Sequence, residues 1–179
     1  MNIWHDLPSE AVTPERFSAV IEITKGSRNK YEMDKRTGLL RLDRILHTST
    51  HYPASYGFLP RTYADDGDPL DVLVICSEPI LPMTLVECYP IGVMKMIDGG
   101  RFDEKIVAIP FTDPYYRSVQ KMDDLPSHVF DEMRHFFSVY KTLEGKETAV
   151  DEVKGREDAI RIIEDAIHRY NEKFVRYGL

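Results

Sequence analysis

An acidic bend at the start of an apolar run limits what this chain can fold into. The bend places four carboxylates within seven positions: Asp65, Asp66, Asp68 and Asp71. Like charges packed this closely repel one another, so a folded chain tolerates them only in water or around a cation. Gly67 and Pro69 indicate a tight turn, and the apolar residues 72–76 directly after it indicate a buried strand. The sequence therefore predicts carboxylates gathered at one strand end.

Two interpretations of this bend remain open from its residues alone. It could be a solvated acidic hairpin turn, which is a common surface feature. It could also be a group of hard oxygen ligands, which would suit Mg²⁺ or Mn²⁺ better than a soft metal.

The composition predicts one compact domain over residues 1–179. The chain is 42% hydrophobic and 30% charged, as is typical of a globular protein. Its net charge of -7 argues against a general nucleic-acid or membrane-surface binder, but a local basic pocket could still bind a small anion. The first residues lack the pattern of an export signal. Cys76 and Cys88 lie in apolar runs, where buried thiols are expected, so we predict a cytoplasmic location.

Strand-like runs come first along the chain and helical patterns come last. Strands are predicted at 17–24, 71–76, 85–89, 91–97 and 106–110, and a hairpin at 30–44. Helical spacing follows at about 129–140 and 157–170. This order, without strand–helix alternation, predicts an α+β protein built on a small antiparallel barrel.

Three further patterns could contribute to a site, although each also has an ordinary structural explanation. Glu22 interrupts an apolar strand, so it either faces water from an edge strand or serves a site. Lys30 and Glu32 share one strand face, where a surface pair is the commoner outcome. Residues 52–60 suggest an ordered loop. A tyrosine in the position of Tyr56 more often packs against its neighbours than takes part in chemistry.

A second acidic bend is predicted at residues 98–105, again at the start of an apolar strand. Its carboxylates are Asp98, Asp103 and Glu104. Two bends at two strand ends could bring carboxylates together from two sides, which is the geometry that a multi-metal site needs.

Across nearly the whole chain, these residues resemble the family I soluble inorganic pyrophosphatases of the bacterial type. Residues 66–72 read DGDPLDV, which is similar to the signature of that family. Order and spacing agree at further positions: Glu22, Lys30-Tyr31-Glu32, Asp43-Arg44, Tyr52-Pro53, Tyr56-Gly57, Gly92-Val93-Met94-Lys95-Met96, Asp98, Asp103, Lys105, His135-Phe136-Phe137 and Tyr140-Lys141.

The resemblance implies a five-stranded antiparallel barrel of OB type with two main C-terminal helices packed outside. It implies an inorganic diphosphatase that hydrolyses pyrophosphate to two orthophosphates. It also implies several Mg²⁺ ions per active site, with Mn²⁺ or Zn²⁺ as possible substitutes. Bacterial members are usually hexamers, so a homo-oligomer is expected, with a hexamer favoured.

The resemblance also implies roles for individual residues. Asp68 matches the group that helps to activate the attacking water, and Glu22 matches a carboxylate near the site without a sharper role. Principal metal ligands are implied at Asp66, Asp71 and Asp103. Asp98 matches a ligand for a metal that arrives with the substrate, and Glu32 matches a further metal-associated carboxylate. Phosphate contacts are implied at Lys30, Arg44, Tyr56, Lys105, Tyr140 and Lys141, of which Lys30, Arg44 and Tyr56 would also assist catalysis together with Asp68.

Departures from the family pattern lie mainly near the C-terminal end. Residues 142–156 are polar and lack the tryptophan-bearing strand of the commonest bacterial members, and Val139 replaces a histidine that some relatives carry. These departures bear on the expected contacts between subunits more than on the expected chemistry of the site.

Other classes of protein fit less well. An EF-hand needs a different ligand spacing and a helix after its loop, whereas a strand follows here. A phosphatase with an aspartyl nucleophile would carry its DxD after the buried strand instead of before it. A nucleic-acid-binding barrel shares the OB architecture, but it would call for an exposed basic and aromatic stripe, whereas the lysines and arginines here alternate with carboxylates.

Overall fold

The computed structural model describes residues 2–175 and shows a strand-rich fold with two long helices in its C-terminal part. The strands are β1 (Phe17–Ile23), β2 (Asn29–Met33), β3 (Leu40–Ile45), β4 (Ser55–Phe58), β5 (Asp71–Val74), β6 (Leu85–Asp98), β7 (Arg101–Pro110) and β8 (Thr148–Gly155). The helices are α1 (Ile3–Asp6), α2 (Ser127–Val139) and α3 (Arg156–Tyr170), and a π-helical turn (Asn171–Val175) continues α3. Within residues 2–175, no helix has the length and apolarity needed to cross a membrane.

Five strands close into a ring, which confirms the predicted OB-like barrel with two C-terminal helices. The hydrogen-bonded order is β1-β4-β5-β7-β6, and β6 pairs back to β1. Among these described strands the pairing is antiparallel except between β5 and β7, which run parallel. The β8 strand extends the sheet beyond β6, and β2 and β3 form the separate hairpin that the sequence predicts.

Three sequence-based boundaries were wrong: those of the segments 52–60, 85–97 and 98–105. Residues 52–60 are not all loop, because they contain β4. Residues 85–89 and 91–97 form one strand, β6, with a register shift near Pro90. The bend predicted at 98–105 is confined to the Gly99-Gly100 turn, where both glycines have positive φ, and Asp103 and Lys105 therefore lie on a strand. Residues 142–156 lack a tryptophan but still contain β8.

Gly57 explains how β4 fits into the barrel despite its breaker-rich sequence. Gly57 pairs with Ile21 of β1, and a Cβ atom at Gly57 would lie 1.8 Å from the carbonyl oxygen of Val20. Only a residue without a side chain allows the two strands to approach this closely.

Alternate residues of the central strands pack into two different apolar cores. Val72 and Val74 pack in a core that Ala159 and Ile163 of α3 complete. Leu73 packs in the other core, with Met133, Phe136 and Phe137 of α2. Because neighbouring residues of a strand face opposite sides, β5 is anchored on both faces, and the acidic bend before it is held at a fixed strand end.

The two cysteines differ in exposure. Cys88 is buried as predicted, and Cys76 is partly exposed; both are free thiols.

Candidate active site

One cleft gathers acidic and basic side chains from separate parts of the chain. Its volume is about 280 Å³, which suits a small ligand. It is lined by Glu22, Lys30, Tyr31, Glu32, Met33, Lys35, Tyr56, Phe58, Asp66, Asp68, Pro69, Asp71, Asp98, Asp103, Lys105, Tyr140 and Lys141. All of the implied site residues except Arg44 therefore border the same cleft.

Strand ends and turns place these side chains. The β2 strand carries Lys30 and Glu32, β4 carries Tyr56, and the acidic bend leads into Asp71, the first residue of β5. The β6–β7 hairpin contributes Asp98 from β6, and Asp103 and Lys105 from β7. Tyr140 and Lys141 follow the last residue of α2 directly.

The acidic bend is a tight turn, as its Gly and Pro predict. Gly67 adopts a φ of 92°, a left-handed conformation that favours glycine. The backbone N–H of Asp68 donates to Asp66 Oδ1 at 3.0 Å, and the N–H of Ala64 donates to the carbonyl of Asp68 at 2.8 Å. Asp65, Asp66 and Asp68 are all exposed, and Asp66 and Asp68 line the cleft.

Lys105 is the buried centre of the site. Its side chain is only 2% exposed, and its Nζ donates to Asp71 Oδ2 at 2.8 Å, to both oxygens of Asp103 at 3.0 Å and to the Tyr56 hydroxyl at 2.9 Å. Tyr56 also donates to Asp71. Burial alone lowers the pKa of Lys105, but Asp71, Tyr56 and Asp103 outweigh it and the pKa is raised well above its ordinary value. Lys105 is therefore an ammonium ion at neutral pH.

The other lysines of the cleft are paired with carboxylates in the same way. Lys141 pairs with Asp98, Lys30 with Glu32 and Lys35 with Asp68. Lysines thus neutralise most of the carboxylates that the resemblance assigns to metals.

The three carboxylates expected to be the main ligands border two cavities. Asp66, Asp71 and Asp103 line the main cleft and also a smaller pocket, which Asp65 and Glu104 line as well. In the part of the chain that the structure describes, no three Asp, Glu, His or Cys side chains stand close enough to enclose an ion as they are placed. Lys105 Nζ instead occupies the position between Asp71 and Asp103.

This donor set nevertheless fits a hard divalent cation. Its atoms are carboxylate oxygens, which are the ligands that hard divalent cations prefer. Desolvation, and then the neighbouring Asp103, raise the pKa of Asp66, and burial also raises the pKa of Asp103. A bound cation would reverse both shifts, because it favours the ionised carboxylates.

Two tyrosine hydroxyls reach the cleft as hydrogen-bond donors. Burial is the main reason that the pKa values of Tyr56 and Tyr140 are raised. Both phenols consequently keep their protons at neutral pH and can donate to an anion.

Glu22 is buried, so the interpretation as a water-facing edge residue is wrong. It lines the cleft with a side chain that accepts the Met33 N–H at 2.7 Å, and the residue is 9% exposed. Burial, despite the hydrogen bond from Met33, raises its pKa to about 7.

We expect the substitution Glu22→Gln to stabilise the metal-free protein in a pH-dependent way. Between the ordinary pKa of 4.5 and about 7, the folded chain holds a proton that the unfolded chain has released, so stability falls as pH rises. Above about pH 7 the buried carboxyl group is ionised in the folded chain, and this ionisation lowers the stability by about 3 kcal/mol in full. In EDTA, thermal unfolding should show a large gain for Glu22→Gln at pH 8 and a small gain at pH 5. The exposed Glu15→Gln should show neither, and equal gains at both pH values would contradict the shifted pKa.

Arg44 is the one implied site residue that does not line the cleft. Its Nη1 donates to Asp43 Oδ2 at 2.6 Å, and its Nε lies 2.7 Å from Glu144 Oε1. Asp43 Oδ2 also lies 3.3 Å from Lys30 Nζ, so Arg44 stands immediately beside the cleft.

Sequence reasoning missed Lys35. Lys35 Nζ pairs with Asp68 and lies 4.8 Å from the ring centroid of Trp4, a buried residue of α1. A lysine in a polar hairpin turn carries no local signal for such a role, because turn lysines are ordinarily solvated.

Comparisons with known proteins show the family of this chain. The family model described as inorganic pyrophosphatase matches residues 19–171. A soluble inorganic pyrophosphatase 2 of Chlamydomonas reinhardtii is 46% identical over 172 residues, covering 96% of this chain and 90% of that protein. An inorganic pyrophosphatase of Halalkalibacterium halodurans is 46% identical over 160 residues, covering 89% and 98%.

A solved structure extends the likeness to the whole fold. The inorganic pyrophosphatase from Thermus thermophilus superposes with a TM-score of 0.91 at 38% identity, covering 96% of this chain and 99% of that one. The residues matched by the family model, 19–171, include every residue that lines the cleft. The chain therefore belongs to the inorganic pyrophosphatase family.

Proposed function

We propose that this protein is an inorganic diphosphatase that hydrolyses pyrophosphate to two orthophosphates with the assistance of Mg²⁺. The observation that carries the proposal is the cleft in which carboxylates and lysines alternate. Family membership supports pyrophosphate as substrate, orthophosphate as product and a divalent metal as cofactor. Pyrophosphate is a compact polyanion, and a small cleft with lysines, tyrosine donors and cation ligands matches its charge and size.

The metal would be held by carboxylates of the acidic bend, β5 and β7, with further carboxylates from β6 and β2. Asp66, Asp71 and Asp103 would be the main ligands, with Asp98 and Glu32 as further ligands. When bound there, Mg²⁺ would lower the pKa of a water molecule and neutralise charge on the phosphates. Mn²⁺ or Zn²⁺ are possible substitutes, since the same oxygens can bind them.

The basic side chains would hold the two phosphates. Lys30, Lys105 and Lys141 line the cleft as cations, and the hydroxyls of Tyr56 and Tyr140 face it as donors. Lysines that leave their carboxylate partners as a cation arrives become available to phosphate oxygens. Arg44, beside Lys30, would add a guanidinium that can contact two oxygens at once.

Asp68 would accept a proton from the attacking water. It lies on the acidic bend but is exposed, and its side chain is paired with Lys35 instead of being enclosed among the main ligands. A carboxylate in this position can orient a water molecule toward the phosphate and take up its proton.

Assembly, location and extent are further parts of the proposal. We expect a single domain over residues 1–179, a cytoplasmic homo-oligomer and, by resemblance, a hexamer. No interaction with nucleic acid or membranes is expected.

The decisive assay is orthophosphate release from pyrophosphate with Mg²⁺ and then with excess EDTA. Release that requires Mg²⁺ would support the proposal. A protein that releases no orthophosphate but shifts single-stranded nucleic acid in a gel would support the nucleic-acid-binding barrel instead.

Replacing Lys141 should weaken substrate binding more than metal binding. We expect Lys141→Ala to raise the KM for pyrophosphate about 10- to 100-fold, the effect of losing one charge-assisted contact. Because the substitution frees Asp98 from its ion pair, Mg²⁺ affinity should not fall. Steady-state kinetics and Mg²⁺ titration would measure the two effects. Lys146→Ala, an exposed lysine in the same segment, is the control, and unchanged KM and kcat in Lys141→Ala would contradict the assignment.

A further inference from the structure

A chain of opposite charges runs from the cleft to the turn that follows α2. It begins with Lys30, which lies 3.3 Å from Asp43 Oδ2, continues to Arg44 through a 2.6 Å hydrogen bond, and ends at Glu144. Glu144 belongs to the 3₁₀ turn Thr142–Glu144, and its side chain is only 9% exposed. A glutamate so well buried needs a cationic partner, and Arg44 is that partner.

The pairing of Arg44 with Glu144 leaves polar atoms unused. Arg44 Nε and Glu144 Oε1 approach to 2.7 Å without the alignment of a hydrogen bond. Within residues 2–175, Arg44 Nε, Arg44 Nη2 and Glu144 Oε2 are buried without a hydrogen-bond partner. Buried polar atoms are normally satisfied, so this guanidinium is held in place by charge with at least one N–H group still unused.

The same ion pair connects the two elements that carry phosphate-binding lysines. Arg44 is the cross-strand partner of Lys30 in the β2–β3 hairpin. Glu144 lies three residues after Lys141, and its N–H donates to the carbonyl of Lys141 at 3.0 Å, which fixes the turn locally. The contact between Arg44 and Glu144 therefore joins the hairpin bearing Lys30 to the end of α2 bearing Lys141.

We propose that Glu144 is a positioning residue, which holds Arg44 beside the cleft and fixes the hairpin relative to the segment that carries Lys141. Glu144 would touch neither substrate nor metal and would act through Arg44. The inference deepens the proposed function and rests on it, because it assumes that Arg44 contacts a phosphate of pyrophosphate.

A double-mutant cycle between Glu144 and Arg44 tests this inference. Glu144→Gln keeps the shape of the side chain and removes its charge. We expect it to raise the KM for pyrophosphate about tenfold, the loss of roughly one charged contact, and to change kcat less than about twofold. Calorimetry with orthophosphate at fixed Mg²⁺ should show a parallel loss of affinity. In an Arg44→Ala background, Glu144→Gln should cause no further change, since its effect passes through Arg44.

The controls separate positioning from a general loss of structure. Glu147→Gln changes an exposed glutamate in the same segment and should behave as the wild type. If Glu144→Gln does not fold, Glu144→Asp keeps the charge but shortens the side chain, and it should raise KM in the same direction. An unchanged or lower KM, or an equal effect in the Arg44→Ala background, would overturn the inference. A wild-type protein that releases no orthophosphate would instead overturn the proposed function, before the cycle is begun.

Discussion

Replacing Asp68 by Asn should lower kcat for pyrophosphate hydrolysis by roughly 100- to 10,000-fold, the usual contribution of a general base. Asparagine keeps the shape of the side chain and can still accept a hydrogen bond from Lys35. It cannot take up a proton at neutral pH. Because Asp68 is exposed on the bend and is not among the main metal ligands, melting temperature and Mg²⁺ affinity should stay close to the wild-type values.

The measurement is kcat over a range of pH together with a Mg²⁺ titration. Asp65→Asn is the matched control, since Asp65 is an exposed carboxylate on the same bend that pairs with Arg169 at 3.3 Å and does not line the main cleft. That control should keep kcat within about twofold. Near wild-type turnover of Asp68→Asn at every pH would remove Asp68 from its proposed role.

Replacing Lys105 by Met should destabilise the metal-free protein by about 3–5 kcal/mol, because the partly buried carboxylates of Asp71 and Asp103 would then lose their buried cationic partner. Methionine fills similar space, so the loss would come mainly from charge and hydrogen bonds. Pyrophosphate hydrolysis should fall as well, since a buried ammonium that could contact phosphate is lost. Saturating Mg²⁺ should raise the melting temperature of the variant more than that of the wild type, because the two carboxylates are then free to bind it.

Lys95→Met provides the comparison for this experiment. Lys95 pairs with Glu104 at 3.2 Å on the neighbouring strand, but both side chains are partly exposed, so the expected cost is under about 1 kcal/mol. Thermal unfolding with and without Mg²⁺ would compare the two variants. Similar losses in both, or a Lys105→Met protein that Mg²⁺ does not stabilise preferentially, would contradict the proposed arrangement.

The features that could be predicted from the sequence are those written in local patterns. The DGDPLDV run predicts a turn that leads into a buried strand, and the structure has a turn at Gly67 followed by β5. The 3.6-residue spacing of Phe136 and Phe137 with their neighbours predicts α2 close to its observed position. The barrel follows from the order of strands and from the resemblance, and the parallel pairing of β5 with β7 has no local signature because it depends on distant segments.

The features that could not be predicted depend on contacts between distant residues. Gly57 suggests a break when read alone, yet its missing side chain is what allows β4 to approach β1. Lys35 and Asp68 are 33 positions apart, and Arg44 and Glu144 are 100 apart, so neither pair leaves a spacing pattern. Burial of Glu22 likewise depends on Met33 and on the cleft around it, which its own strand does not reveal.

The most direct test of a shared cation and phosphate cleft is a crystal structure with Mg²⁺ and a non-hydrolysable pyrophosphate analogue. We expect Mg²⁺ at about 2.0–2.1 Å from oxygens of Asp66, Asp71 and Asp103, with the analogue contacting Lys30, Lys105 and Lys141. Ions bound elsewhere, or an analogue that avoids these lysines, would contradict the account.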